Sequence, residues 1–207
     1  MRILSKYFID GFYTIVNPIG EILESAEIKA DYVTAVGLLF SALSGILYWN
    51  GHIFSGGVVL VIAGTCDVLD GRLARNSKTM SKFGALLDST VDRYSELFVF
   101  IGLAAFFNTP FMTALILLAV AGSLLTSYAR ARAEGLGFEC KVGVMQRAER
   151  VTFIAVGSVI GSLVDLVLGT DQPLLKLAIF GIAVMGNITV IQRLMQVKNS
   201  LNNKIEE

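Results

Sequence analysis

The sequence predicts an all-α integral membrane protein: six transmembrane helices preceded by an amphipathic helix lying at the membrane interface. Three observations predict it. The 207-residue chain is 54% hydrophobic and only 16% charged, against about 25% charged in ordinary soluble domains. Its apolar residues fall into six blocks, each near the roughly 20 residues that cross a bilayer. Its lysines and arginines gather almost wholly at one side of those blocks.

Residues 3–26 read as the interfacial helix. Leu4, Phe8, Phe12, Ile15, Ile19 and Ile22 recur at three- and four-residue spacing, which lines one helical face with apolar groups. Pro18 is expected to kink it. The first 28 residues also carry Asp10, Glu21, Glu24 and Glu27, so no cleavable signal peptide is expected. The six spans are expected near 31–50, 55–76, 83–107, 110–133, 149–169 and 173–196. The domain reading is therefore residues 1–28 as interfacial helix, 29–198 as one six-helix membrane domain and 199–207 as a frayed tail. Small residues run through the spans, among them Gly37, Ser41, Ser44, Gly45, Gly64, Gly122, Gly157 and Gly161. They let helix backbones approach where lipid supplies no hydrophobic drive.

The connections divide by charge. The loops at 51–55, around Thr109–Pro110 and at 169–173 contain no Lys or Arg. The other side carries Arg2, Lys6, Lys29, Arg72, Arg75, Lys78, Lys82, Arg93, Arg130, Arg132, Lys141, Arg147, Arg150, Arg193, Lys198 and Lys204. That asymmetry places both termini in the cytoplasm of a multi-pass protein of the cell membrane. The formal net charge is zero, so no bulk field argues for nucleic acid. Cys66 and Cys140 form no disulfide framework and are expected to be free thiols.

Four carboxylates interrupt the second and third spans: Asp67, Asp70, Asp88 and Asp92. Asp67 and Asp70 are three apart and Asp88 and Asp92 four apart, so each pair shares a helix face. Two unit charges about 6 Å apart repel by roughly 3 kcal/mol at an effective dielectric near 20. Two divalent cations would cancel four such charges. Oxygen ligands with no His or Cys among them suit Mg²⁺ or Mn²⁺, and two ions some 4 Å apart clamp displacement at phosphorus. The only histidine, His52, falls in a loop on the opposite side, so a carboxylate is the economical general base. A small cation transporter would also use acidic residues. Its carboxylates belong near mid-span, with polar groups reaching both faces; here the polar cluster touches one side only.

The string D-x-x-D-G-x-x-A-R-x₈-G-x₃-D-x₃-D, from Asp67 to Asp92, matches without a gap the signature of the CDP-alcohol phosphotransferase family, which the chain resembles. The layout of a short interfacial helix and six spans is similar too. The resemblance implies transfer of a phosphatidyl group from CDP-diacylglycerol to an alcohol, with release of CMP. It implies that Asp67, Asp70 and Asp88 hold two Mg²⁺ or Mn²⁺ ions, with Asp92 a shared ligand and the catalytic base. Gly71, Ala74, Arg75 and Gly84 would line the nucleotide and diphosphate. Ala30-Asp31-Tyr-Val-Thr34 resembles the family's Pro-Asn-x-x-Thr start of the first span but departs from it at Ala30 and Asp31; Asp31 and Thr34 are the candidate nucleotide contacts there. Family resemblance also suggests a homodimer.

Arg130, Arg132, Arg147, Arg150 and Arg193 come from three helix ends and suggest a pocket for a phosphate dianion. Arg130 and Arg132 are two apart and cannot both face one cavity. Arginines at cytoplasmic helix ends also snorkel without other purpose. Phe83–Arg93, Arg130–Gly135, Gln146–Arg150 and Val190–Arg193 resemble the phosphatidylinositol-phosphate synthase branch of the family. That branch implies inositol phosphate as acceptor, gripped by Arg130, Arg150 and Arg193 with Arg147 and Arg132 in support. Glycerol phosphate, free inositol and serine are the competing acceptors, and an ether-lipid donor the competing donor.

Overall fold

The computed structural model describes residues 6–76 and 81–206. Those residues form seven helices: α1 (Lys6–Ser25), α2 (Ala30–Trp49), α3 (Ile53–Asn76), α4 (Lys82–Phe107), α5 (Pro110–Gly135), α6 (Arg147–Leu168) and α7 (Pro173–Glu206). Leu4 of the expected apolar stripe and Lys78 of the expected basic side lie outside the described residues.

Tight turns separate the spans on one side. Asn108 ends α4 in the left-handed region at φ 39°, and Thr109 starts α5 by accepting from the Met112 N–H at 3.3 Å. Pro110 follows at the first helical position, where its missing N–H costs nothing. Gly169 closes α6 at φ 65°, a conformation that carries no Cβ penalty in glycine. On the other side, Ser81 caps α4 by accepting from the Gly84 N–H at 2.8 Å.

Five helices, α2, α3, α5, α6 and α7, are long and apolar enough to cross a membrane. The expected sixth span, α4, is as long as α5 at 26 residues. It misses that description because Asp88, Asp92, Arg93 and Glu96 load its first half with charge. Its second half, 97–107, is apolar throughout, and it packs against α2 and α5. Large apolar side chains stand exposed on the outer faces of the bundle, including Leu39, Ile46, Ile101, Leu117, Leu166 and Phe180. An apolar girdle of this extent belongs against lipid. α7 runs about three turns past its expected end, because a polar helix can continue where the apolar signal stops; Glu207 is outside the described residues.

Backbone proximity organises the bundle. α2 lies against α3 and α4, α5 against α7, and α3 and α6 join the two groups. A Cβ on Gly102 would lie 2.8 Å from the Gly45 Cα, and one on Gly45 would overlap the Phe98 carbonyl. α5 and α7 meet likewise at Gly122 and Gly186. Around these contacts Tyr48, Leu60, Phe100, Leu103, Ile116, Ile154, Ile179 and Ile182 form one core. Buried hydroxyls are partnered: Tyr48 Oη lies 2.8 Å from Ser158 Oγ, and Ser44 donates to the Gly56 carbonyl at 2.8 Å. Cys66 and Cys140 are free and buried.

α1 rests on α3 through Val16, which shares a small core with Val33, Leu69 and Leu73. Its Ile15, Ile19 and Ile22 point away and stand exposed. Arg72 fixes the contact: it donates to Glu24 at 2.7 Å and to the Asn17 carbonyl at 3.0 Å. Arg72 and Asn76 together hold the Glu24 carboxyl below the usual range.

Gly45→Ala drives a methyl group into the α4 backbone and is expected to destabilise the fold by about 1–3 kcal/mol. Thermal unfolding in detergent measures this. Gly181→Ala, whose Cβ would meet nothing within 4 Å, is the control and leaves the midpoint unchanged or higher.

Candidate active site

α3 and α4 bring the aspartates together near the Asn76–Lys82 connection. Ligand oxygens of Asp67, Asp70 and Asp88 all lie within 4.8 Å of one another. Asp70 is only 5% exposed. Its Oδ2 accepts from the Thr34 hydroxyl of α2 at 2.6 Å; the same hydroxyl's 3.2 Å approach to the Ala30 carbonyl is the weaker alternative for its single proton. The donor set is oxygen only, which fits a hard divalent cation and not a soft one.

Asp92 sits against Asp67 rather than within that trio. Arg147, from the first turn of α6, pairs with both: its Nη1 lies 2.9 Å from Asp92 Oδ1 and also contacts Asp67 Oδ1. Arg147 was expected beside the acceptor phosphate. It reaches the carboxylates instead because α6 lies against α3 and two negative charges there face it.

The glycines and Arg75 of the motif lie beside this cluster. A Cβ on Gly71 would come 3.3 Å from Arg75 Nη1, so the guanidinium folds over the bare α3 backbone. Ala74 is half-buried and Asp31 exposed. Gly84 helps cap α4 through its N–H. Arg93 turns back to donate to the Ser89 carbonyl.

The remaining arginines are not equivalent. Arg132 is exposed. Arg130 is exposed and pairs with Glu134 one turn along α5 at 2.8 Å. Arg193 is 5% exposed and spends its donors on backbone: Nε on the Val142 carbonyl at 3.0 Å and Nη1 on Thr126. Among the described residues no carboxylate lies within ion-pair distance of it, although Arg130 and Arg150 are near enough to repel it. Buried charges are ordinarily paired, so this point attracts an anion. Arg150 is 3% exposed and pairs with Glu96 of α4.

Sequence reasoning missed Glu96. One signal was available: it follows Asp92 by four residues and so continues the same helix face. It also missed what stiffens the arginine side. The Met145 N–H donates to Thr189 Oγ1 of α7 at 3.0 Å, and the Gln146 N–H donates to the buried Glu149 at 3.2 Å. These bonds set where α6 begins, and so where Arg147 and Arg150 stand.

Comparison with known proteins follows the same lines. A family model described as CDP-alcohol phosphatidyltransferase matches residues 28–191. The archaetidylinositol phosphate synthase of Methanothermobacter thermautotrophicus is 39% identical over 179 residues, 86% of this chain and 88% of the relative. A crystal structure of Mycobacterium tuberculosis phosphatidylinositol phosphate synthase with CDP-diacylglycerol bound superposes with TM-score 0.76 at 31% identity. It covers 89% of this chain and 94% of the other. A second structure of that enzyme, with manganese and citrate, gives TM-score 0.77 at 30% identity and 88% coverage of each chain.

Thr34→Val removes the hydroxyl that orients Asp70. The expected result is about a tenfold loss of Mn²⁺ affinity, read by titrating the detergent-solubilised protein and counting free Mn²⁺ by electron paramagnetic resonance. Affinity equal to wild type would remove Thr34 from the site.

Proposed function

This chain belongs to the CDP-alcohol phosphatidyltransferase family, and on that premise we propose that it transfers the phosphatidyl group of CDP-diacylglycerol to inositol phosphate. The products are phosphatidylinositol phosphate and CMP. The observation that carries the acceptor is Arg193: a buried guanidinium with no carboxylate within ion-pair distance among the described residues, close to Arg130 and Arg150, with Arg150 one α6 turn beyond the Arg147 that pairs with Asp67.

In this reading Asp67, Asp70 and Asp88, with Asp92 shared, hold two Mg²⁺ or Mn²⁺ ions. When bound, such ions polarise the diphosphate and offset the charge that develops on departing CMP. Gly71 offers bare backbone to the nucleotide, with Ala74 and Gly84 leaving room nearby. Arg75 supplies positive charge to the diphosphate, and Asp31 and Thr34 border it from α2. Arg130, Arg150 and Arg193 hold the acceptor phosphate; Arg132 lends positive charge at the rim.

The acceptor hydroxyl oxygen attacks the lipid-side phosphorus. Its proton passes to the Asp92 carboxylate, and the phosphoanhydride bond breaks to release CMP. Arg147 engages Oδ1 of Asp92, which orients the carboxylate and leaves Oδ2 for the proton. Asp92 is thus catalytic base and Arg147 its orienting partner, a supporting role that ties the acceptor side to the carboxylates.

The same reading makes residues 29–198 the catalytic membrane domain and 1–28 an interfacial helix whose exposed Ile15, Ile19 and Ile22 rest on lipid. Residues 199–206 continue α7 beyond it. Both termini and the site face the cytoplasm at the cell membrane, where the basic residues collect. The family's homodimer is the expected assembly.

CMP release from CDP-diacylglycerol and Mg²⁺ tests the proposal against a panel of inositol phosphate, inositol, glycerol phosphate and serine. Inositol phosphate is expected to be the efficient acceptor; turnover confined to another alcohol would refute that assignment. CDP-archaeol belongs in the same assay, since an archaetidylinositol phosphate synthase is among the similar relatives. Asp92→Asn is expected to cut CMP release at least about a hundredfold while CDP-lipid binding persists.

A further inference from the structure

α4 and α6 face each other through two charged rungs. α4 presents Asp92 and Glu96, four residues apart. α6 opens with Arg147 and Arg150, three apart. The outer rung, Asp92–Arg147, belongs to the carboxylate cluster. The inner rung, Glu96–Arg150, touches none of the three clustered aspartates, and its carboxylate has no role in the chemistry above.

That inner rung is costly. Glu96 has a side chain 10% exposed and Arg150 3%, and two charges removed from water repay their desolvation only with close geometry and saturated bonding. The carboxylate is well supplied with donors. Arg150 Nε donates to Glu96 Oε1 at 2.9 Å and Nη2 to Oε2 at 3.1 Å. Ser123 of α5 is the carboxylate's third donor and bonds Oε2. Arg150 Nη1 reaches the Met145 carbonyl at 3.4 Å. Of the five guanidinium N–H groups, three are thereby committed and two remain.

We infer that Glu96 is a positioning residue for acceptor recognition: it fixes the planar fork of Arg150 through two parallel bonds, so that the two uncommitted N–H groups are presented to the acceptor phosphate. The inference rests on the reading of Arg150 as a phosphate ligand. An unclamped arginine side chain would have to lose its rotamer freedom on binding, and the clamp has spent that entropy in advance. Glu96 also joins three helices at one atom pair, since Arg150, Ser123 and Glu96 come from α6, α5 and α4. The carboxylate meets the phosphate only through Arg150, which keeps the two negative groups apart.

Steady-state kinetics of Glu96→Gln, Glu96→Asp, Arg150→Gln and the double variant Glu96→Gln/Arg150→Gln test it, with inositol phosphate and CDP-diacylglycerol varied in turn. Glu96→Gln is expected to raise the acceptor KM about tenfold or more, the loss typical of one charged hydrogen-bonded pair. The KM for CDP-diacylglycerol should stay within about twofold of wild type, below the resolution of a single lost contact. Glu96→Asp should recover part of the loss. The double variant should be no worse than Arg150→Gln alone, because the two act as one unit. An unchanged acceptor KM in Glu96→Gln, or a fall in kcat with both KM values unchanged, would overturn the inference and leave a helix-tying role only. Should Glu96→Gln fail to fold, Glu96→Asp carries the test: an intermediate rise in acceptor KM supports the inference and a wild-type value refutes it. Wild-type turnover only with acceptors that lack phosphate would sink the acceptor reading as well; wild-type use of inositol phosphate with an unchanged KM in the Glu96 variants sinks this inference alone.

Discussion

Mutual repulsion among the Asp67, Asp70, Asp88 and Asp92 carboxylates is the constraint around which the rest of the molecule is arranged. The chain brings three of them to within 4.8 Å of one another at the ends of helices that are otherwise apolar. At an effective dielectric near 20, each pair of such charges costs several kcal/mol. Among the described residues one guanidinium, Arg147, lies within ion-pair distance of two of them. A single positive charge does not balance four negative ones, and the oxygen-only donor set says which kind of cation completes the account. The same imbalance recurs with opposite sign at Arg193, where the buried charge is positive and no carboxylate among the described residues lies within ion-pair distance. An enzyme that joins a metal-bound diphosphate to a phosphorylated alcohol needs both imbalances, close together.

Holding like charges together requires a scaffold that does not yield. The glycine contacts provide it. Gly45 and Gly102 bring the α2 and α4 backbones into touch, and Gly122 and Gly186 do so for α5 and α7. Close packing of this kind resists relaxation. α2 then delivers Thr34 to Asp70, and α6 delivers Arg147 to Asp67 and Asp92. Polar stitches finish the work at the helix ends: Arg72 ties α1 to α3, and Thr189 ties the α6 approach to α7. The site is therefore built from four helices and stabilised by contacts far from it.

Much of this was legible in the sequence. The spans fall within two or three residues of their expected bounds, α7 excepted, because apolar blocks separated by Gly, Pro and Asn leave little freedom in a bilayer. The gathering of Asp67, Asp70 and Asp88 followed from helical spacing and one short connection. What escaped were the pairings between distant helices. Glu96 is one acidic residue in a span and has no motif around it; only the placement of α6 shows that it meets Arg150. Arg147 carries no mark in the sequence that distinguishes it from Arg150, yet the two face different carboxylates. Glu24 likewise carries no mark in the sequence of its pairing with Arg72. Ion pairs across fifty residues depend on helix azimuth, and a sequence pattern leaves azimuth undetermined.

The most direct test of the central claim is an anomalous difference map at the manganese edge, from crystals of this protein soaked in Mn²⁺. The account requires two peaks between the facing ends of α3 and α4, each touching carboxylate oxygens drawn from Asp67, Asp70, Asp88 and Asp92. A map without density there at saturating Mn²⁺, with the four side chains turned into separate surroundings, would contradict it.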